Sequence, residues 1–239
     1  MLKFRGGIMK ISLSDGVFCR GARRYLWYLA AFFAALFLFL LCEIFISEAV
    51  CHAVWSPVDD MIPFIEGFVV FYTLWYFMII GSLLWLGLFR RESFRSLLIF
   101  MTACQMIAIV IFVLYPNKQM LRPEVMPRDN VFSRVVGAIH SVDTNTNVCP
   151  SLHVCYSAAM ASVWLKERSL PKIIRFVIVL LCAMACVSTV FIKQHSIIDM
   201  AVGFVVCAVV EMIIYRRFWK ERFTLKGENE QKILNMQKR

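Results

Sequence analysis

The sequence predicts an all-α integral membrane protein, a bundle of six helices crossing a bilayer with both termini in the cytoplasm. Three observations predict it. The 239 residues are 60% hydrophobic, with a mean hydropathy of +0.70, whereas soluble domains run near about 45–50% apolar. Six apolar runs, at about 25–47, 67–89, 97–114, 150–165, 176–192 and 196–215, approach or exceed the roughly 18 residues that cross a hydrocarbon core. Charge alternates with them. Of the 26 Lys and Arg, all but Lys118, Arg122, Arg128, Arg134 and Lys193 fall on one side of an alternating layout, and positive charge flanking spans marks the cytoplasmic side.

Taken in order, residues 1–24 read as a cytoplasmic N-terminal segment, 25–215 as the membrane domain and 216–239 as a basic cytoplasmic tail. The first run is too long for a signal-peptide core and has no small-residue cleavage site, so it is expected to stay as a span. The connection 48–66 lacks Lys and Arg, carries Glu48, Asp59, Asp60 and Glu66, and lies outside. Pro57 and Pro63 forbid one continuous helix there, while Trp55, Phe64 and Phe68 suit an interfacial belt. The connections 90–96 and 166–175 are short, so the spans they join are antiparallel neighbours. The longest connection, 115–149, lies outside and is rich in polar groups; a loop of that length is expected to be functional or disordered.

The net charge of +10 is thus accounted for by topology, which removes the case for a nucleic-acid partner. The nine cysteines show no metal-ligand spacing. Six lie in apolar runs, where Cys acts as a small hydrophobe; Cys51 and Cys149 lie in outer connections and can pair if that compartment is oxidising.

Alternating spans bring distant polar residues to one level at the outer face. The third span delivers Arg122; the fourth begins at Pro150 and places Ser151 and His153 in its first turn. The fifth ends at Lys193, and the sixth starts near His195, with Asp199 one turn deeper. Helix N-termini offer unbonded amides and a positive dipole end, and Arg122 and Lys193 add charge suited to phosphate. His195 and Asp199 stand at i, i+4 on one helical face, so the carboxylate can hold one ring nitrogen and leave the other as nucleophile or base. His153 arrives from another helix and can act as a separate acid. Taken singly, each has a structural explanation: a histidine at a helix start is commonly structural, and Arg122 and Lys193 suit snorkelling anchors. Asp199 is the hardest to explain that way, because ionisable groups within a span are costly. Glu43 reads as structural, as does Glu211, which is expected to meet Arg216. His52 and His140 have no partner visible in the sequence.

At these residues the chain resembles the type 2 phosphatidic acid phosphatase superfamily, which also holds vanadium haloperoxidases and sphingolipid phosphotransferases. The family's Pro-Ser-Gly-His motif is matched by Pro150-Ser151-Leu152-His153. Its Ser-Arg, five residues, His, three residues, Asp motif is matched by Ser188-Thr189 followed by His195 and Asp199. Arg122-Pro123 matches the end of a Lys, six residues, Arg-Pro motif, whose lysine position is Tyr115, with Lys118 the nearest candidate. Lys193 is the candidate to replace the arginine that Thr189 displaces. The "PSLHV" stretch, with Tyr115-Pro116, "DDMIPF", Asp143 and Asn147, resembles the branch that includes inositol phosphotransferases.

The resemblance implies a membrane enzyme that cleaves a lipid phosphate or pyrophosphate at the extracytoplasmic face of the cell membrane, with no cofactor and no metal. It implies His195 as nucleophile, Asp199 as its support and His153 as acid. Arg122, Lys193 and Ser151 would bind phosphate, with Lys118 as a further candidate. The alternatives are a phosphotransferase passing the head group to a lipid alcohol and an anion or lipid transporter; the latter would more readily show repeats and broken mid-span helices.

Overall fold

The computed structural model describes residues 23–214, together with two short strands, β1 (Lys3–Phe4) and β2 (Gly7–Ile8), paired antiparallel. The expected tail at 216–239 and most of the N-terminal segment lie outside the described residues. The described chain is mostly helical. Its helices are α1 (Leu26–Phe45), α2 (Pro57–Met61), α3 (Val69–Phe89), α4 (Arg91–Leu114), α5 (Val131–Val142), α6 (Leu152–Lys166), α7 (Lys172–Phe191) and α8 (Ile197–Ile214). Five of them, α1, α3 with the turn before it, α4, α7 and α8, are long and apolar enough to cross a membrane. The fourth expected span, α6, has only 15 residues. At about 1.5 Å per residue it covers roughly 22 Å, against a hydrocarbon core of about 30 Å.

What α6 lacks in length it makes up in position. Val154, Tyr156, Ser157, Ala159, Met160, Val163 and Trp164 are all buried, covering every side of the helix. It packs against α7, α4 and α3, so it is the inner helix that the longer ones surround. Trp164 Nε1 donates to Ser82 Oγ of α3 at 2.9 Å, and Tyr156 donates to Gln105 Oε1 of α4 at 2.7 Å. These bonds satisfy polar groups that would otherwise cost several kcal/mol in an apolar setting. On its remaining side α6 meets α8, where Gly203 lies against Ser151 and Val154. The sulfurs of Cys104, Cys155 and Cys207 meet within 4.8 Å of one another at the junction of α4, α6 and α8. By contrast α1 is peripheral, with Phe33, Phe37, Leu40, Ile44 and Phe45 exposed, the surface a lipid-facing helix presents.

The long connection 115–149 is not a bare loop. It holds α5, capped by Asn130, whose side chain accepts from Ser133 N at 2.9 Å. Glu66 accepts from Arg128 Nη1 at 2.6 Å and from Asn130 Nδ2 at 2.9 Å, which ties the start of α3 to the start of α5. Two-residue strands β3 (His52–Ala53) and β4 (Asn117–Lys118) join the connections after α1 and after α4 in parallel. The side chain of Asn117 bridges to Val148 N and Cys149 N and to Cys149 O, fixing the approach to α6. Glu211 meets Lys166 and Ser162 of α6; Arg216, its expected partner, lies outside the described residues. Cys51 and Cys149 are both free thiols, and burial, with the charge of Asp199 behind it, pushes the Cys149 thiol up to about 12.

Candidate active site

Ser151 is the N-cap of α6, its hydroxyl accepting from Val154 N at 3.4 Å. That cap, preceded by Pro150, fixes where the helix begins and sets His153 in its first turn. At the start of α8 the same task falls to Ser196, whose hydroxyl accepts from Ile198 N at 3.1 Å and Asp199 N at 3.2 Å, and the turn is braced by Asp59, which is 0% exposed. Its Oδ1 accepts from Ile197 N at 2.7 Å and its Oδ2 from Ser56 N at 2.8 Å. Ser56 and Asp59 form a capping box on α2, so the connection 48–66 serves as a brace for α8. Between α7 and α8 the chain turns through Lys193, whose φ of 59° is in the left-handed region rarely used by residues other than glycine. Its ammonium donates to Asp59 O and Ile62 O, both at 2.6 Å. Burial draws the Lys193 pKa down, with Asp59 and Asp60 opposing.

The braced turns bring two histidines together. His153 Nδ1 lies 3.1 Å from His195 Nε2, and His195 Nδ1 lies 3.3 Å from Asp199 Oδ2. The same Asp199 oxygen accepts from Ser196 N at 2.8 Å, which holds the carboxylate while Ser151 N donates to Asp199 O at 3.1 Å. With Asp199 as acceptor, the neutral ring of His195 carries its proton on Nδ1. Its Nε2 lone pair is then turned toward His153. The His153 ring packs against Tyr72 and Trp75, with centroids 4.7 and 4.4 Å away, so its plane is held by two aromatic faces. A small recess, about 360 Å³ when the open solvent at its mouth is counted, adjoins the pair. Its lining includes Glu43, Asp143, Asn147, Leu152 and Gln194 as well as His153 and His195. The amides of Leu152 and His153 open α6 and so have no helical carbonyl to bond.

The basic residues expected at the outer face are placed differently. Arg122 donates to His140 O and Asp143 O at 2.9 Å and to Thr144 O at 2.7 Å. It thereby caps the C-terminal end of α5, where unpaired carbonyls attract a cation. Burial lowers its pKa, and Asp143 and Tyr72 offset part of the effect. Lys118 pairs with Glu48 at 3.2 Å, Arg128 with Glu66 and Arg134 with Asp129. None of Arg122, Lys193, Lys118 and Ser151 lines the recess. The structure therefore brings together His153, His195 and Asp199, and sets the expected phosphate ligands one layer back.

Some of the surrounding residues carried no functional sign in the sequence. Asp59 hid in a short acidic stretch, and its only trace was the Ser-x-x-Asp capping spacing. Tyr72 and Trp75 read as ordinary residues of an apolar span. Glu43, which looked structural, faces the recess. Gln194 has no signal of its own beyond its place beside His195. His52 stacks on Tyr115, and His140 Nε2 bonds to Ile192 O at 3.0 Å.

A bundle of bilayer-length helices with a His–His–Asp relay where two helices begin defines a class of phosphoryl-handling membrane protein. The chain belongs to the PAP2 superfamily: the family model matches residues 96–223, more than half of the chain. Its members are phosphoesterases, phosphatases among them. The matched stretch contains Arg122, Ser151, His153, Lys193, His195 and Asp199. No curated protein and no solved structure matches the chain.

Proposed function

We propose that the protein is a membrane phosphatase that hydrolyses a lipid phosphate or pyrophosphate through a phosphohistidine. The observation that carries this reading is the line Asp199–His195–His153, with contacts of 3.3 and 3.1 Å. In it, His195 Nε2 attacks phosphorus while Asp199 accepts from Nδ1–H and supports the positive charge that develops on the ring. His153, its ring parted from His195 by the entering phosphoryl group, gives a proton to the departing lipid oxygen. Water then takes the phosphoryl group from His195, and His153 acts as base for that water. The α6 amides of Leu152 and His153 supply donors for phosphoryl oxygens. Arg122 and Lys193 stabilise negative charge from behind, through the α5 end and the α7–α8 turn that they hold; Ser151 fixes the helix start, and Lys118 is the outermost of the basic set. The proposal includes α6 as a sixth crossing, both termini cytoplasmic and the site facing outward, which the charge distribution supports.

One observation favours a second reading. The recess beside the histidines has apolar lining from Phe39, Val148 and Leu152 next to its polar groups, so a lipid alcohol can dock there and replace water, making the protein a phosphotransferase. The test uses purified protein in mixed micelles, labelled lipid phosphate and a lipid alcohol. Release of labelled phosphate is expected, with an acid-labile, base-stable phosphoenzyme that His195→Ala abolishes. Label passing into a new lipid, with free phosphate at background, selects the transferase; a phosphoenzyme in His195→Ala removes both readings.

A further inference from the structure

Beyond the histidines, the recess presents acceptors in place of cations. Glu43 and Asp143 bring two carboxylates to its lining, and among the described residues no Lys or Arg lines it. Asn147 and Gln194 line it as well, and they are only 5% and 2% exposed. Each spends its amide NH2 on a carboxylate: Asn147 Nδ2 donates to Glu43 Oε1 at 2.8 Å, and Gln194 Nε2 donates to Asp143 Oδ2. Those bonds leave the amide oxygens over. Asn147 Oδ1 and Gln194 Oε1 are both buried without a hydrogen-bond partner. The Thr144 hydroxyl is spent in the same way, donating to Glu43. Arg122 stands behind Asp143 with its NH1 and NH2 groups on main-chain carbonyls.

Two unpaired amide oxygens and two carboxylates at one recess call for a donor, and a buried unpaired acceptor costs about 1–3 kcal/mol. A phosphoryl group brings only acceptors and negative charge. A hydroxyl brings one donor and two lone pairs, which would face more oxygens. A primary ammonium brings three donors, no acceptor and the opposite charge. We propose that this part of the recess binds the primary ammonium of an aminoalkyl phosphate, whose phosphate meets the histidine pair. The inference rests on the phosphoryl-transfer reading above and adds the part of the substrate that is not phosphate. The amine has two possible sources: an aminoethyl head group of a phosphodiester lipid, or an amine on the lipid chain of a long-chain aminoalkyl phosphate.

Calorimetry on the purified full chain tests it without turnover, using aminoethyl phosphate, ethyl phosphate, glycerol phosphate and calcium ion as probes. Aminoethyl phosphate is expected to bind at least about tenfold tighter than ethyl phosphate, the size of one charge-assisted hydrogen bond. Glu43→Gln and Asp143→Asn are expected to bring that ratio toward one. Equal affinities in the wild-type chain overturn the proposal, whatever the variants do. So does tighter binding of glycerol phosphate, which assigns the recess to hydroxyls, or calcium binding that Glu43→Gln removes, which assigns it to a metal ion. Turnover of an aminoethyl diester lipid against a long-chain aminoalkyl monoester then separates the two sources. If the probe contrast holds while no lipid phosphate is turned over, the catalytic reading falls and this one stands. If phosphatidate is hydrolysed with no contrast among probes, the reverse is true.

Discussion

Asp199 accepts from His195 Nδ1 and from Ser196 N with the same oxygen, so one carboxylate sets both the tautomer of the histidine and the first turn of α8. An asparagine there can turn its NH2 toward Nδ1, which moves the ring proton to Nε2 and blocks attack. Asp199→Asn is therefore expected to lower kcat by about 10³–10⁴-fold, the cost of a wrong tautomer in comparable relays, while the thermal unfolding midpoint changes little. Loss of activity with loss of fold would instead make Asp199 a purely structural cap. A second residue titrates away from the chemistry. Burial first, and the charge of Arg122 second, lower His140 from 6.5 to about 4, and its Nε2–H donates to Ile192 O. Its folded pKa lies below its unfolded one, so the unfolded chain binds the extra proton between these values. Stability from this group is complete above about pH 6.5 and is lost as pH falls toward about 4. Unfolding midpoints of the detergent-solubilised protein should fall across that window, and His140→Gln should flatten the fall.

At the scale of elements, the separation of α6 from α8 decides the distance between the two histidines. A Cβ at Gly203 would come within 3.2 Å of Ser151 O and of Val154 Cβ and Cγ1, tighter than ordinary packing allows. Gly203→Ala gains about 1 kcal/mol of helix propensity, so stability is expected to hold while α6 yields by a few tenths of an ångström. Misplacement by 1 Å can cost about 100-fold; a loss of about tenfold in kcat with little change in KM is the expected outcome of steady-state assays, and Gly203→Val should cost more. Much of this level was legible in the sequence. Long apolar runs read as spans, and the four-residue spacing of His195 and Asp199 pointed to their contact, although His195 stands in the turn before α8 and not on its helical face. What stayed hidden was α5, because a short helix in a polar connection draws its stability from caps and tertiary bonds, here Asn130 and Arg122, more than from its own pattern. The fate of the outer basic residues was hidden too. Whether an arginine meets a ligand or the carbonyls of a helix end depends on where α5 finishes, and no spacing in the chain records that.

For the whole molecule, the arrangement of charge leads to a direct test of orientation. In the orientation proposed above, with α6 counted as a crossing, residue 130 lies outside and residue 170 inside. A cysteine at 130 should react with a membrane-impermeant thiol reagent on intact cells, and one at 170 only after the membrane is opened; Cys51 and Cys149, free in the outer connections, are replaced by serine beforehand. The reverse pattern places the site in the cytoplasm.

The family match begins at residue 96, whereas Phe39 and Glu43, on one wall of the recess, belong to α1. The histidine pair thus lies wholly within the matched stretch, whereas the recess beside it is shared between that stretch, through Asp143, Asn147 and Gln194, and α1. α1 packs on α4 but exposes most of its length, so it can accumulate changes at little cost to the core. Such a division makes selectivity separable from reactivity: an ancestral chain can exchange its first helix, or drift there, and acquire a new substrate without rebuilding the histidine pair.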